Sequence, residues 1–133
     1  MTKRLYHKDG TLPQKTELFV FGSNDGAFHG GGAALVAARR FGAVGSVAEG
    51  YSGRSYAIPT KTVNLKPHSI AKIKENVHRF VNYSIMNPHL TFFVTRVGCG
   101  LAGFKDSAIA PLFRDAENCN FPDEWKQYLE TDN

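Results

Sequence analysis

The chain has 133 residues, of which 42% are apolar and 21% charged, and its formal net charge is +4 at pH 7. This length predicts a single domain, residues 1–133, with a core of its own. No apolar run approaches the roughly 20 residues of a membrane span, and no apolar signal segment follows the basic start, so we expect a cytoplasmic protein without a membrane partner. The positive charge favours an anionic ligand.

Basic residues are concentrated at the beginning of the chain. Lys3, Arg4, His7, Lys8 and Lys15 all lie within residues 1–16. This composition predicts a flexible, solvated arm, and the alternative is an arm that contacts the phosphates of a nucleic acid.

Four short apolar runs bounded by turn residues predict buried strands. These runs are residues 17–22, 54–60, 90–97 and, more weakly, 118–121. Apolar residues at three- and four-residue steps predict amphipathic helices between the strands. The helical segments are residues 32–41, 69–86 and 106–117. Strands that alternate with helices predict an α/β fold with a mostly parallel sheet that is covered on both faces.

Two glycine-rich loops follow predicted strands. The first is "GSNDGAFHGGG", residues 22–32, and the second is "GCGLAGF", residues 98–104. In a parallel sheet both loops would open at the carboxyl ends of the strands, where ligands bind. Bare backbone N–H groups with a helix start behind them are suited to a diphosphate. The same glycines could also serve only as turns, with no ligand.

Several other sites are disfavoured by the motifs. "GCGLAG" is formally G-x-G-x-x-G, but it follows the third predicted strand and lacks the acidic partner of a dinucleotide fingerprint. The chain has neither a P-loop nor a G-x-S-x-G elbow. The five histidines have no metal-ligand spacing and the two cysteines form no CxxC pair, so we expect no metal and no disulfide.

Three separated segments together resemble the macro domain, the ADP-ribose-binding α/β/α module. They are Asn24 with "GGGAA" at residues 30–34, a strand that ends in "AIPTK", and "VGCGLAGF". The resemblance covers residues 18–116 and implies a three-layer α/β/α domain. It is nearest to the terminal-ADP-ribose glycohydrolase branch, and short macro-like proteins of this kind occur in bacteria and bacteriophages, which implies a bacterial or phage-infected cell.

The resemblance also implies a ligand site between the two loops. ADP-ribose, or a phosphorylated, cyclic or protein-linked derivative, would bind there without a further cofactor. Backbone amides would hold the diphosphate, Asn24 would contact ribose hydroxyls, and Phe104 would pack on a ribose. The implied ligand-binding residues are Asn24, Gly30, Gly31, Gly32, Ala33, Gly98, Gly100, Leu101, Ala102, Gly103 and Phe104.

The sequence leaves two alternatives for activity, a binding protein and an enzyme. One hydrolase branch of the family has an aspartate where this chain has Ala34, and the lysine-using branch has one at Ala102. Lys61 matches the family lysine, and His29 lies where a general acid or base could act. With both acids missing, we expect a binding protein. The alternative is an ADP-ribose 1″-phosphate phosphatase or an ADP-ribosyl hydrolase that uses His29 and Lys61.

Overall fold

The structure is a computed structural model that describes residues 4–45, 47–100 and 102–130. Its strands are β1 (Leu5–His7), β2 (Glu17–Asn24), β3 (Gly50–Ser52), β4 (Ser55–Lys61), β5 (Thr91–Val94) and β6 (Cys119–Pro122). Its α-helices are α1 (Gly32–Arg40), α2 (Ile70–Met86), α3 (Asp106–Ile109) and α4 (Lys126–Leu129). Two 3-10 helices span Ala110–Phe113 and Asp123–Trp125. No helix in these ranges is long and apolar enough to cross a membrane.

The six strands form one sheet in the order β1-β6-β5-β2-β4-β3. Neighbouring strands are parallel except for β3, which runs antiparallel to β4. The strands β2 and β5 are adjacent at the centre, with Glu17 opposite Thr91 and Val20 opposite Val94. The loops that follow these two strands therefore leave the same edge of the sheet, side by side.

Alternate residues of the central strands build a core on each face of the sheet. Phe19 and Phe21 of β2 pack with Ala34, Ala37 and Phe41 beneath α1. Val20, between them, belongs to the larger core on the opposite face. That core contains buried apolar residues of α2, α3, both 3-10 helices and α4, including Ile73, Val77, Phe80, Ile109, Phe113, Trp125 and Leu129. The result is the predicted three-layer α/β/α fold.

The long helix α2 follows directly from the sequence pattern. Ser69 caps it, because its Oγ accepts a hydrogen bond from the backbone N–H of Lys72 at 3.2 Å. The apolar stripe that predicts the helix is buried against the sheet through Ile73, Val77 and Phe80. The predicted helix 106–117 is different, since α3 ends at Ile109 and a 3-10 turn follows. Pro111 has no N–H to donate within an α-helix, which explains the early end.

The N-terminal segment differs from the expected flexible arm. Residues 5–7 form β1, which pairs in parallel with β6 at the edge of the sheet. Arg4 donates from Nε to the carbonyl oxygen of Ala116 at 3.1 Å, and its Nη1 lies 3.3 Å from Oε2 of Glu130. A strand of three partly exposed residues leaves no periodic pattern, so the sequence could not reveal it. Lys3 lies outside the described residues.

Candidate functional site

A cavity of about 590 Å³, here called the main cavity, lies beyond the carboxyl ends of β2, β4 and β5. Four stretches of the chain line it. The β2 side contributes Gly22, Asn24, Phe28, Gly30, Gly31, Gly32, Ala33 and Ala34. The β5 side contributes Thr95, Arg96, Gly98, Cys99, Gly100 and Ala102. The remaining lining residues are Asp9, Thr60, Lys61 and Leu65. Its volume is in the range of small-molecule sites.

The first loop ends in an uncapped helix start. Gly31 is the N-cap of α1 and has no side chain to cap it, and the first turn carries no acidic residue. The first described bond of this turn is from the N–H of Leu35 to the carbonyl of Gly31 at 3.2 Å. The N–H groups of Gly32 and Ala33, which line the main cavity, donate to no described residue. Such a helix start attracts an anion.

The second loop is folded tightly around its own glycines. The N–H of Phe104 donates to the carbonyl of Gly98 at 2.8 Å, and the N–H of Gly103 donates to that of Gly100 at 3.0 Å. Gly98 has φ +77°, and a Cβ there would lie 3.3 Å from Ile109, so glycine is required. The N–H groups of Gly98 and Gly100 have no partner among the described residues. Leu101 lies outside the described residues.

Asn24 supports the first loop from inside. Its Nδ2 donates to the carbonyl of Phe28 at 2.7 Å, and its Oδ1 accepts from the N–H of Phe28 at 3.1 Å. Asn24 is 3% exposed and lines the main cavity, and these two bonds use one of the donor hydrogens and one of the acceptor lone pairs of its carboxamide. Its contact with ribose hydroxyls stays a prediction. Phe28 itself is 65% exposed at the rim of the main cavity.

Lys61 is the last residue of β4, opposite Asn24 in the register. It lines the main cavity, and no described carboxylate lies within 4.0 Å of its ammonium group. The chain then folds back, since Lys61 bridges to Pro67 and the N–H of His68 donates to the carbonyl of Thr60. Nε2 of His68 lies 3.0 Å from Oδ2 of Asp25, which ties this turn to the first loop.

Arg96 is the second cation of the main cavity. Its Nε donates to Oδ1 of Asp106 at 3.1 Å and its Nη2 donates to Oδ2 at 2.7 Å, so the pair is bidentate. Nε1 of Trp125 donates to the same carboxylate at 2.8 Å. Burial opposes ionisation of Asp106, but the hydrogen bonds from Arg96 and Trp125 outweigh it and lower the pKa of Asp106. The pair fixes the Arg96 guanidinium beside the second loop, with its charge balanced by Asp106.

Cys99 also lines the main cavity but is not set up as a nucleophile. Burial, together with a hydrogen bond to Asp106, raises the pKa of this thiol to about 12. A thiolate is the reactive form of cysteine, so Cys99 stays unreactive near neutral pH.

Three residues of the predicted site lie away from the main cavity. His29 turns from it: Nε2 lies 3.2 Å from the carbonyl oxygen of Val44, and the ring packs edge-on against Phe21. This placement does not support the acid-base role expected of His29. Phe104 is partly buried against the larger core and is not among the residues that line the main cavity. Gly103 shapes the second loop with φ +81° but does not line the cavity.

A smaller cavity of about 290 Å³, here called the side cavity, adjoins the main one. Asp9, Ala33, Thr95 and Arg96 line both. Its other lining residues are His7, Gly10, Thr11, Leu12, Phe19, Val36, Phe93, Pro122 and Glu124. Sequence reasoning missed Asp9 and His7, because the pairing of β1 with β6 is what brings them here. Thr95 and Arg96 carried a usable signal, since they are polar residues between a buried strand and a glycine loop.

Comparison with known proteins was made by sequence and by structure. No protein-family model and no curated protein matches this sequence. Among solved structures, the macrodomain of Mycobacterium tuberculosis DarG superposes with a TM-score of 0.70 at 19% identity, covering 92% of this chain and 98% of that one. A protein of unknown function from Bacteroides thetaiotaomicron superposes with a TM-score of 0.61 at 18% identity, covering 91% and 96%. The chain therefore has the macrodomain fold.

Proposed function

We propose that this chain binds ADP-ribose or a close derivative, with the diphosphate between the two glycine loops. One observation carries the proposal: Gly32 of the first loop and Gly100 of the second line the same cavity, and their N–H groups have no partner among the residues that the structure describes. Oriented backbone donors with an uncapped helix start suit a diphosphate. The likeness to the DarG macrodomain supports this proposal.

The charges of the main cavity agree with an anionic ligand. Among the described residues that line it, Lys61 and Arg96 are basic and Asp9 is acidic. Lys61 lies beside the first loop and Arg96 lies beside the second. A diphosphate between the loops would therefore have the ammonium group of Lys61 on one side and the guanidinium of Arg96, which is paired with Asp106, on the other.

The side cavity completes the site by offering a place for the base. Leu12, Phe19 and Phe93 give it an apolar lining, and His7 adds a flat ring. Asp9 and Arg96 stand where it meets the main cavity. An extended nucleotide would thus place its base in the side cavity, its nucleoside ribose at the junction, and its second ribose near Lys61.

We propose binding rather than turnover. Ala34 and Ala102 line the main cavity where an acidic side chain would be needed, and His29 is directed elsewhere. Positioned acids and bases supply about 100- to 10,000-fold in rate, so their loss is costly for a hydrolase. Lys61, with no carboxylate in ion-pair range among the described residues, is the observation that favours the second candidate. That candidate is a phosphatase or hydrolase of ADP-ribose derivatives, in which Lys61 would stabilise developing negative charge.

Nucleic-acid binding by a basic N-terminal arm is not part of the proposal. Arg4 bonds to the carbonyl oxygens of Arg114 and Ala116 and pairs with Glu130. Residues 5–7 are held in the sheet. Residues 4–7 are therefore built into the domain, whereas Lys8 and Lys15 are exposed.

Calorimetry with ADP-ribose, ADP, AMP and ribose 5-phosphate tests the proposal. We expect ADP-ribose to bind with a micromolar-class Kd, about −8 kcal/mol, and the fragments to bind more weakly. Absence of heat with ADP-ribose at millimolar concentration would refute it. Incubation with ADP-ribose 1″-phosphate and with an ADP-ribosylated protein separates the two candidates. Release of phosphate or of free ADP-ribose, lost in Lys61→Met, would favour the enzyme.

A further inference from the structure

A chain of hydrogen bonds leads from the interior to His7 in the side cavity. Glu17 is 5% exposed, and its Oε1 accepts from the backbone N–H of Gln14 at 2.8 Å. Nδ2 of Asn120 donates to Oε2 of Glu17 at 3.1 Å. Oδ1 of Asn120 lies 2.9 Å from Nδ1 of His7. The proposed diphosphate site does not require this series of hydrogen bonds.

The direction of these hydrogen bonds fixes the tautomer of His7. A carboxylate only accepts, so Asn120 must turn its NH₂ group toward Glu17 and its oxygen toward His7. The oxygen cannot donate, so Nδ1 of His7 must carry the proton. In the neutral ring Nε2 is then a bare acceptor. A buried carboxylate thus determines which polar atom the ring can offer to a ligand.

The position of the ring is fixed as well. His7 stacks on Phe93 with 3.9 Å between ring centroids and 16° between the planes. With one face covered by Phe93 and Nδ1 held by Asn120, the ring has little freedom to turn. Nε2 has no hydrogen-bond partner among the described residues, and His7 lines the side cavity.

We propose that His7 is a specificity-determining residue that selects a base with an amino group at its edge. Nε2 would accept a hydrogen bond from that amino group, and Glu17 and Asn120 would act as positioning residues that hold the neutral ring in the tautomer with its proton on Nδ1. The inference rests on the proposed function, because it assigns the side cavity to the base of the nucleotide. It favours adenine over hypoxanthine, which carries a carbonyl oxygen at the ring position of the adenine amino group.

The substitution Glu17→Gln tests this series of hydrogen bonds, because it reverses the bond between residue 17 and Asn120 and the bond between Asn120 and His7. The N–H of Gln14 still needs an acceptor, so the new amide must turn its oxygen to Gln14 and its NH₂ group to Asn120. Asn120 must then turn over and donate to Nδ1 of His7, which moves the ring proton to Nε2. Nitrogen NMR of the ring reports this directly: we expect a protonated Nδ1 in the wild type and a protonated Nε2 in the variant.

Binding provides the second measurement. We expect the wild type to bind ADP-ribose at least about tenfold more tightly than its hypoxanthine analogue, because the carbonyl oxygen would face a bare acceptor. In Glu17→Gln this preference should fall to about twofold or reverse. His7→Phe keeps a flat ring on Phe93 without a polar atom, and it should remove the preference even if Glu17→Gln does not fold. Asp9→Asn and Glu124→Gln are the controls, since each changes another acceptor that lines the side cavity and should leave the His7 tautomer unchanged.

The outcomes separate the two proposals. If the wild type binds both ligands equally, or if the preference is lost only in Asp9→Asn or in Glu124→Gln, the role of His7 is wrong while ADP-ribose binding stands. A wild-type ring protonated at Nε2 also overturns it. If neither ligand binds, the proposed function fails and this inference fails with it.

Discussion

Asn24 bonds to Phe28 with both polar atoms of its side chain, accepting from the N–H and donating to the carbonyl of the same residue. This pair closes the first half of the glycine loop, so the cavity wall depends on a residue that the ligand need not touch. We expect Asn24→Asp to lose the donor and to place a carboxylate against the Phe28 carbonyl.

The cost should be about 1–3 kcal/mol of unfolding free energy, with weaker ADP-ribose binding. Chemical denaturation and calorimetry measure the two effects. Asn82→Asp, at an exposed position of α2, is the control and should change neither. Unchanged binding in Asn24→Asp would show that the loop keeps its shape without this pair.

Gly100 offers a test of the ligand site that spares the fold. Its φ is not in the left-handed region, and a Cβ there meets no atom within 4 Å. Gly100→Glu should therefore fold normally but place a carboxylate in the main cavity, where we expect it to abolish ADP-ribose binding. Gly45→Glu is matched, because Gly45 has equally open surroundings but does not line the cavity. Equal binding by both variants would place the ligand elsewhere.

Lys61 should contribute charge to ligand binding. Replacing it with Met keeps most of the side-chain volume and removes the ammonium group, so we expect about tenfold weaker binding of ADP-ribose at low salt. The difference from the wild type should shrink at high salt, because the lysine is only partly buried and salt screens its charge. Lys66→Met, at an exposed position of the following turn, should have little effect. A salt-independent loss would indicate packing rather than charge.

Asp106 makes stability depend on pH in a defined direction. Its pKa is lowered in the folded protein, so it contributes stability above the ordinary carboxyl pKa and loses it as the pH falls through the folded value. We expect Asp106→Asn to be less stable than the wild type at neutral pH and the difference to vanish in acid. Thermal unfolding of both proteins from about pH 7 to about pH 2 tests this. A difference that persists in acid would mean that packing, not ionisation, matters at Asp106.

His29 should matter for stability and not for the ligand. Its ring packs on Phe21 and reaches the Val44 carbonyl, while Nδ1 is buried without a described partner. His29→Ala should lower the melting temperature and leave the Kd for ADP-ribose within about twofold of the wild type. The measurements are thermal unfolding and calorimetry. Loss of a catalytic turnover in this variant, with binding intact, would restore the acid-base role.

Sequence pattern predicted the parts of the fold that are set by local periodicity. The central strand at residues 17–22 and the helix at 69–86 were found because their apolar residues recur at the spacing of the element. The prediction of a helix over residues 106–117 was wrong beyond Ile109, because Pro111 prevents the α-helix from continuing. The edge strand β3 was missed, since three residues beside a tight turn carry too little pattern.

The sequence predicted the parts of the candidate site that consist of backbone, namely the two glycine loops. Clustered glycines indicate a sharp turn or a close contact of the backbone with a ligand, so the sequence alone predicted both loops. The roles of the side chains were harder to predict, because each role depends on which groups the fold places around that side chain. Asn24 and His29 are typical ligand or acid-base residues by type, yet their partners are the Phe28 backbone and the Val44 carbonyl. Asp9 and His7 reach the site only through a pairing with the far end of the chain.

That pairing of β1 with β6 has a consequence for how the protein is made. Leu5 lies beside Asn120, and Arg4 bonds to the carbonyl of Ala116, so the first strand has no place in the sheet until the last strand has formed. During synthesis β1 therefore cannot pair until β6, more than a hundred residues later, has left the ribosome. The glycine loops can take shape early, around β2, β4 and β5. The side cavity, which needs His7 and Pro122 together, must assemble last.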